Sequence, residues 1–490
     1  MKFLVYNKGK INKNFDLLGA YVFGNDGIAI RRVEINFEDG IIECKKPHQS
    51  TSGLAILWPV EGFGKVILPT TCLPEREQPY ILNVEIARAK LMQIINKCED
   101  WSIFSSPVVL AQLLKQAQEL FISAIQNISN TARASHLADE SLKASMDFSE
   151  KLAVRQAVTS FNAKSSSHGF SRGCLGCQVD FEHINEPAYI EKLMELFGFA
   201  MLPVKWSLLE PQKGNYDFSL IDESINALSK KKLAISAGPL LCFSQDSLPD
   251  WLLSDRKADF EKIRESAYQF VVTMLNRYSD RIRSWVVISG LNMYNHFRFN
   301  FEQVLEMTRA ATMAVKSVSN RVLKIIEISD PWGEYYSQLE NAIPPLVYID
   351  MIMQSGISFD AFGFQIKFGK NESGMRLRDL MSVSANLDKL SFLGKALYIT
   401  GVEVPSSLDS EQSEFSGMWH GRWDEELQGQ WIEQFYKIAL SKPVVDCVVY
   451  SHLTDCDGSR ISNSGLMNRN FEPKRSYIVM KKLHDVIFSH

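Results

Sequence analysis

The sequence predicts an α/β fold, a (β/α)₈ barrel preceded by a small all-β module and a helical connector. The chain has 490 residues, of which 46% are hydrophobic, so it can bury a large core. Residues 170–490 alternate short β-rich runs with helical runs, which is typical of a barrel with parallel strands. Residues 86–165 have a helical period, and residues 1–85 have short β-rich runs. We therefore expect three parts with these boundaries.

The first part contains hairpin signals. The dipeptides Asp26-Gly27 and Asp39-Gly40 each separate two β-rich runs, and glycine accepts the positive φ that a tight hairpin turn requires. Three aromatic residues, Trp58, Phe63 and Tyr80, fit either a sugar-stacking face or the core of the module. Core packing is the commoner use of such side chains.

The connector contains three helical segments, which begin near Ile86, Val109 and Ala132. Their apolar residues recur at steps of three and four, with charged residues between them. This pattern predicts helices that pack on the rest of the chain, and it leaves open a second use, self-association into a homo-oligomer.

The third part contains eight β-rich runs, the number that a (β/α)₈ barrel needs. In such barrels the functional side chains come from the carboxyl ends of the strands, so the residues that follow each run carry the functional prediction. The eight runs are Cys174–Val179, Ala200–Val204, Leu233–Ala237, Ser284–Ile288, Leu323–Ile328, Phe359–Phe364, Ala396–Thr400 and Asp446–Tyr450.

Four motifs in the third part carry a family resemblance. They are Lys205-Trp206 with Glu210-Pro211 and Gly214, then Leu248-Pro249-Asp250-Trp251, Phe362-Gly363-Phe364-Gln365, and Pro473-Lys474-Arg475-Ser476-Tyr477. In this order they resemble glycoside hydrolase family 10, the endo-1,4-β-xylanase family. The resemblance implies a (β/α)₈ barrel and, in an active member, hydrolysis of O-glycosyl bonds in a polysaccharide.

The resemblance also implies where two catalytic glutamates would stand, and this chain has Gly290 and Gly401 there. A retaining glycosidase needs two carboxyl groups about 5 Å apart, one as nucleophile and one as acid/base. Glycine supplies neither, so no catalytic residue is expected at these positions. We expect a pseudoenzyme: a barrel that binds a carbohydrate or a protein, or that serves assembly, without xylanase turnover.

Five residues are predicted to bind substrate. Lys205 and Gln365 match polar residues of the family, and Tyr450 stands where the family has a tryptophan. Trp419 and Trp423 belong to the segment that follows the seventh strand, where they fit a ligand lid. Two other interpretations remain open: Lys205 pairs with a local carboxylate, and the two tryptophans cover an apolar rim.

Two alternatives to the pseudoenzyme stay open. The first is an active glycoside hydrolase with relocated carboxylates, Glu403 and Glu334. Glu403 lies two residues beyond Gly401, so on a continuing strand both would face the same way. The second alternative is a purely structural or oligomerising protein.

Other functional classes lack a signal. The net charge is −4 and the isoelectric point is near 6.2, so the chain has no basic field for nucleic acid. The short N-terminal apolar run and the lack of an apolar stretch of about 18 residues predict a cytoplasmic protein without a membrane segment.

No cofactor or metal is expected either. The sequence has no glycine-rich phosphate loop, and the close pair Cys174 and Cys177 lacks the two further ligands of a zinc site. His452 and Asp455 form a polar pair after the last strand, but without a nearby nucleophile they indicate no particular reaction.

Overall fold

A computed structural model describes residues 1–101, 108–167, 169–255 and 259–488, and it confirms the predicted fold class.

The N-terminal module consists of short strands in two four-stranded sheets and one hairpin. Their orders are β5-β6-β1-β9 and, with a strand from later in the chain, β18-β8-β7-β4; β2 pairs with β3. The strands are β1 Lys2–Leu4, β2 Tyr6–Asn7, β3 Lys10–Ile11, β4 Tyr21–Phe23, β5 Glu34–Glu38, β6 Ile41–Lys45, β7 Gly53–Val60, β8 Gly64–Pro69 and β9 Tyr80–Ile81, with β18 Met418–Trp419 completing the second sheet.

Three helices follow the module: α1 Leu82–Asp100, α2 Val108–Gln126 and α3 Thr131–Ser167. Helix α3 is 37 residues long and buries small side chains such as Ala138, Ser145 and Ala153, which allow close approach of its neighbours. The module's aromatic residues Trp58 and Phe63 are buried, 3% and 4% exposed, which supports core packing over a sugar-stacking face.

The barrel is closed by eight parallel strands. Strand order runs β12-β11-β10-β19-β17-β16-β15-β14, and pairing of β12 with β14 closes the ring. Every β-rich run predicted from the sequence overlaps one of these strands. They are β10 Leu175–Gln178, β11 Phe199–Pro203, β12 Ala234–Gly238, β14 Ser284–Ser289, β15 Leu323–Ile328, β16 Ala361–Lys367, β17 Ala396–Glu403 and β19 Val445–Tyr450, with a short strand β13 Leu241–Cys242 beside β14.

Helices cover the outside of the ring. Several begin with a side chain that accepts a backbone N–H, as Asn300 and Asp424 do, which fixes the point where the chain leaves each loop. The helices are α4 Pro187–Leu196, α5 Trp206–Leu209, α6 Ser219–Lys230, α7 Asp250–Leu253, α8 Phe260–Tyr278, α9 Phe301–Val318, α10 Pro345–Gln354, α11 Leu380–Ser391, α12 Ser410–Ser416, α13 Glu425–Ser441 and α14 Arg475–Phe488.

The interior of the barrel is filled by side chains rather than by a channel. One buried cluster takes residues from five different barrel strands and is separate from the larger core between strands and helices. This packing agrees with the layered interior of such barrels. The cluster comprises Met201, Val286, Ile325, Ala361, Cys447 and Val449.

The barrel, the connector and the module are packed against one another. Strand β18 comes from the loop after the seventh barrel strand, and it pairs antiparallel with β8 of the module. Lys90 of α1 forms a 2.7 Å ion pair with Asp379, which caps α11, and both side chains are almost fully buried. Residues distant in sequence therefore hold the three parts together.

All eight cysteines carry free thiols. Burial raises the pKa of the Cys174 thiol to about 12, and the pKa of Cys177 is raised well above its usual range for the same reason. Both thiols are therefore poor nucleophiles. Among the described helices, none has the length and apolar character that a membrane span requires.

Candidate functional site

The carboxyl ends of the eight strands meet at one end of the barrel, which we call the mouth. Gly290 directly follows β14 and has φ +63°, a conformation that favours glycine. Its N–H donates to the Glu327 carbonyl at 2.9 Å. A Cβ atom placed on Gly290 would lie 2.7 Å from Cδ2 of Tyr294 and would also collide with Ser329 Oγ. The end of this strand is therefore shaped around a residue without a side chain.

Gly401 lies inside β17, where the register shifts against both neighbouring strands, and it does not have a positive φ. A Cβ atom placed there would lie 3.3 Å from Lys367 Cε and 3.3 Å from Ser451 Oγ, a tight contact with flexible neighbours. Neither Gly290 nor Gly401 brings a carboxyl group to the mouth. Any acid chemistry there depends on other residues.

Glu327 is a buried carboxylate directly below the mouth, and the sequence reasoning did not identify it. It is 1% exposed and accepts hydrogen bonds from Ser289 Oγ at 2.5 Å, from Gln365 Nε2 at 2.9 Å and from Thr400 Oγ1. These donors come from three other strands, so the carboxylate ties four strands of the ring together. A charged residue inside the apolar run Leu323–Ile328 was the signal that could have identified it.

Glu403 points into a network formed by the loop after the last strand. It is fully buried and accepts hydrogen bonds from Ser459 Oγ at 2.6 Å, Ser464 Oγ at 3.0 Å and the Ile461 N–H at 3.1 Å. Lys367 Nζ lies 3.2 Å from its second oxygen. Burial favours the protonated form, but Lys367 and these donors outweigh it, so the pKa of Glu403 is held below its usual range. This carboxylate holds a loop in place.

Glu334 is also engaged. Its side chain is 4% exposed and accepts hydrogen bonds from the Gly374 N–H and, at 2.6 Å, from the Arg378 guanidinium. Asp330, four residues earlier, lies beside this pair. Burial and the neighbouring charge of Glu334 raise the pKa of Asp330 to about 7. Asp330 is thus a mouth carboxyl group that can hold a proton near neutral pH.

The cavity between the carboxyl ends of β14, β15 and β16 is small. It has a volume of about 40 Å³, and one water requires at least roughly 10–15 Å³. Arg460 closes one side, because it donates to the Tyr294 hydroxyl at 3.2 Å and to Glu372 at 2.6 Å. The cavity is lined by Met293, Tyr294, Ser329, Asp330, Gln365, Lys367, Ser373, Gly374, Met375 and Arg460.

Of the five predicted substrate-binding residues, Gln365 lines this cavity, but its amide is held by Glu327. Lys205 has a 41% exposed side chain, with Nζ 3.8 Å from Asp246, a loose surface pair that fits the alternative of a local carboxylate partner. Tyr450 is fully buried, and its hydroxyl donates to the Ser464 carbonyl at 2.7 Å. Substrate contact by these residues stays a prediction.

The two predicted lid tryptophans are buried. Trp419 is 1% exposed and Trp423 is 4% exposed. Trp419 belongs to β18, and its indole N–H donates to Glu150 of α3 at 2.9 Å. His420 contacts the other oxygen of Glu150 at 2.8 Å. The segment therefore fastens the barrel to the module and the connector, and ligand contact by the two tryptophans stays a prediction.

His452 has a different partner from the one predicted. Its Nδ1 lies 3.0 Å from Asp180 Oδ1, whereas Asp455 accepts hydrogen bonds from Lys474 Nζ at 2.7 Å and the Gly465 N–H at 2.9 Å. The pairing of His452 with Asp455 is therefore wrong. Asp180 follows the first strand of the barrel, which neighbours the last strand in the closed ring, and a linear sequence gives no sign of this proximity.

A much larger hollow, of about 1320 Å³, lies at the opposite end of the barrel, which we call the floor. Its lining includes five exposed cationic side chains and one acid, Asp280. The cations are Arg172, Lys230, Lys232, Arg281 and Arg283.

Comparison with known proteins supports the family resemblance. The sequence profile described as Glycosyl hydrolase family 10 matches residues 173–303. The native xylanase 10B of Thermotoga maritima is similar with 16% identity and a TM-score of 0.50, over 69% of this chain and 99% of that chain. A psychrophilic family 10 endo-β-1,4-xylanase gives 17% identity and a TM-score of 0.52, over 65% and 97%. An endoxylanase from a sugarcane soil metagenome gives 16% and 0.51, over 65% and 97%. The expected resemblance is confirmed, and at these identities the structures show a shared fold.

Proposed function

We propose that this chain is a family 10-like pseudoenzyme, a barrel retained for binding or assembly without glycoside hydrolysis. The observation that carries the proposal is the state of the mouth. Its cavity of about 40 Å³ has room for a few waters, whereas pockets that enclose organic ligands typically measure about 300–1,000 Å³.

The mouth carboxylates support the same proposal. A retaining or inverting glycosidase needs two carboxyl groups free to face the scissile bond from opposite sides. Glu403 is fully buried and is committed to Lys367 and a loop, and Glu334 is committed to Arg378. Removing either from its partners would leave a buried charge unpaired, which costs several kcal/mol.

The surfaces outside the mouth offer more room for a partner. The floor hollow carries five cations and one acid, a charge balance suited to an anionic partner. The connector also exposes apolar side chains, Met92, Ile95, Ile122 and Ile128, which are 40–54% exposed. These residues support self-association as the assembly role. A carbohydrate ligand has weaker support, because the aromatic residues predicted to stack on it are buried.

One observation favours a second candidate, residual hydrolysis. Asp330 lines the cavity and has a pKa near 7, a value that suits a general acid. In this alternative Asp330 replaces one of the relocated carboxylates predicted from the sequence. Buried networks of charge also shift pKa values without catalysis, so Asp330 has to be tested directly.

The experiment is hydrolysis of xylan and of a panel of aryl glycosides by the purified chain, with an active family 10 xylanase as the positive control. We expect no turnover above the uncatalysed rate. Hydrolysis that is lost in Asp330→Asn, or in Glu403→Gln, would contradict the proposal and establish a relocated mechanism.

A matched measurement addresses the assembly role. Light scattering coupled to size exclusion gives the oligomeric state of the wild type and of an Ile122→Ser/Ile128→Ser variant. A wild-type oligomer that dissociates in the variant supports assembly through the connector. A monomer at all concentrations removes self-association from the proposal and leaves the floor hollow as the remaining surface.

A further inference from the structure

Three residues with metal-binding side chains converge beside the barrel mouth. Asp180 follows the first barrel strand, and His452 and Cys456 belong to the loop after the last strand. One ligand atom from each lies within 4.8 Å of the other two. Neither the fold nor the proposed loss of hydrolysis gives this cluster a role.

Two polar partners contact the same nitrogen of the His452 imidazole. Asp180 Oδ1 lies 3.0 Å and Cys456 Sγ lies 3.4 Å from the same nitrogen, Nδ1 of His452. A ring nitrogen carries either one hydrogen or one lone pair, so it can serve one of these partners well but not both. In a hydrogen-bonded relay the two partners would contact different ring nitrogens. Here both partners lie next to the same ring nitrogen.

Two of the three separations between ligand atoms are close to those around a tetrahedral ion, and the third is at most 4.8 Å. With bond lengths of about 2.1 Å to oxygen and nitrogen and about 2.3 Å to sulfur, ligand atoms around zinc lie about 3.4–3.6 Å apart. The separations of 3.0 and 3.4 Å are close to these values, and small side-chain rotations would bring them into agreement. We infer that Asp180, His452 and Cys456 form a zinc-binding site, with a fourth position left for water or an external ligand.

Neighbouring groups orient the carboxylate. Thr454 Oγ1 donates to Asp180 Oδ2 at 3.0 Å, and the Asp180 N–H donates to the Tyr189 hydroxyl at 2.9 Å. The hydrogen bond from Thr454 holds Oδ2, and Oδ1 lies against His452. Hydrogen bonds of this kind commonly fix metal ligands. The side chains of Asp180 and His452 are 6% and 13% exposed, so the site is sheltered but reachable.

The donor set selects the class of cation. A thiolate and an imidazole favour zinc and similar transition metals, whereas calcium and magnesium prefer oxygen ligands. A set of three protein ligands with one open position is the arrangement of zinc sites that bind or activate a small molecule. This inference does not depend on whether the barrel hydrolyses glycosides.

The test uses the full-length chain after removal of metal with a chelator. Titration with Zn²⁺ against a chromophoric competitor should give one bound ion per chain. Titration with Co²⁺ should give a sulfur-to-metal charge-transfer band in the near ultraviolet, which reports a bound thiolate. Cys456→Ser should abolish the band. Thr454→Val, which disturbs only the orientation of Asp180, should weaken Zn²⁺ binding by roughly 10–100-fold.

The matched control is Cys98→Ser, which changes a partly exposed thiol in α1 and should leave both the band and the affinity unchanged. Circular dichroism and thermal unfolding of each variant separate lost binding from lost folding. Wild-type chain that fails to bind Zn²⁺ stoichiometrically would overturn the inference. A charge-transfer band that persists in Cys456→Ser would also overturn it, because the thiolate would then lie elsewhere.

Discussion

At the scale of single residues, the two mouth glycines differ in backbone conformation, although both stand where the family resemblance implies a glutamate. Gly290 has φ +63° and is closely surrounded, while Gly401 lies within β17 and has no positive φ. We expect Gly290→Ala to lower the free energy of unfolding by at least roughly 1–2 kcal/mol, the cost of a left-handed conformation for a residue with Cβ. Collision with Ser329 and Tyr294 adds to this cost.

Gly401→Ala is the matched control, because its new Cβ meets only side-chain atoms of Lys367, Gln365 and Ser451 at 3.3 Å or more. Chemical denaturation of both variants gives the comparison. Equal losses would contradict the assignment of strain to Gly290. The same reasoning predicts that a glutamate restored at Gly290 would not regain a catalytic geometry without a change in the backbone.

Titration of Asp330 should affect stability. Its pKa is raised from 3.8 to about 7 by burial and Glu334, so the folded chain holds a proton that the unfolded chain releases. Stability should therefore fall as pH rises from about 4 to about 7, and the penalty should be complete above this window. We expect Asp330→Asn to raise the melting temperature relative to wild type at about pH 8 far more than at about pH 4.

Asparagine suits this position because Asp330 has φ +45°, which asparagine tolerates well. The control is Asp16→Asn, an exposed aspartate in the N-terminal module. Thermal unfolding of the three proteins across the pH range gives the result. An Asp330→Asn effect that does not vary with pH would show that Asp330 does not hold the proton.

At the scale of elements, the segment after the seventh strand illustrates the limit of sequence reasoning. The eight barrel strands could be predicted because a buried parallel strand is a short apolar run between helices, and that pattern is local. The role of Trp419 could not be predicted in the same way. Its partners, Gly64 and Glu150, lie hundreds of residues earlier in the chain, and only the folded structure brings them together.

In the candidate site, too, some residue roles could be predicted from the sequence and others could not. Trp206 and Glu210 could be assigned structural places from their motif, and the structure has the Trp206 indole donating to Glu210 at 2.6 Å. The polar layer around Glu327 and the neighbours of His452 could not be predicted, since they depend on contacts across the ring. The motifs predicted the fold. Contacts between residues distant in sequence determine which side chains are available to a ligand.

Glu150 is the residue on which the docking of β18 depends. It accepts hydrogen bonds from the Trp419 indole and contacts His420, and it is 8% exposed. Glu150→Ala leaves a buried indole N–H without its acceptor, so we expect a loss of about 1–3 kcal/mol in the free energy of unfolding. Lys151→Ala on the same helix removes only the surface pair with Asp147 and should cost roughly 0.5 kcal/mol or less.

The same contact predicts a pH dependence. The hydrogen bond to Glu150 raises the pKa of His420, so its stabilising effect is present below the ordinary imidazole value of about 6.5 and is lost as pH rises through the raised value. Chemical denaturation below and above this range should show the loss in wild type and not in Glu150→Ala. A parallel pH dependence in both proteins would contradict it.

At the scale of the whole molecule, buried contacts join the three parts of the chain. The module and barrel share a sheet through β18, and the buried ion pair of Lys90 and Asp379 joins the connector to the barrel. If one part unfolded alone, the remaining part would expose a strand edge or bury a charge without its partner, and both are unfavourable. The parts should therefore unfold together.

Arg31 tests this cooperativity. From the module it donates to three barrel carbonyl groups, those of Tyr336 at 3.2 Å, Leu339 at 2.9 Å and Ala342 at 2.7 Å. Hydrogen bonds to a charged group contribute about 1.5–3 kcal/mol, so Arg31→Ala should lower the stability of the whole chain by roughly 2 kcal/mol. In calorimetry we expect a single unfolding transition, whose midpoint temperature is lower in Arg31→Ala. The midpoint should not change in Arg32→Ala, which alters an exposed neighbour of Arg31. Two transitions, with only the earlier one shifted by Arg31→Ala, would mean that the module melts independently of the barrel.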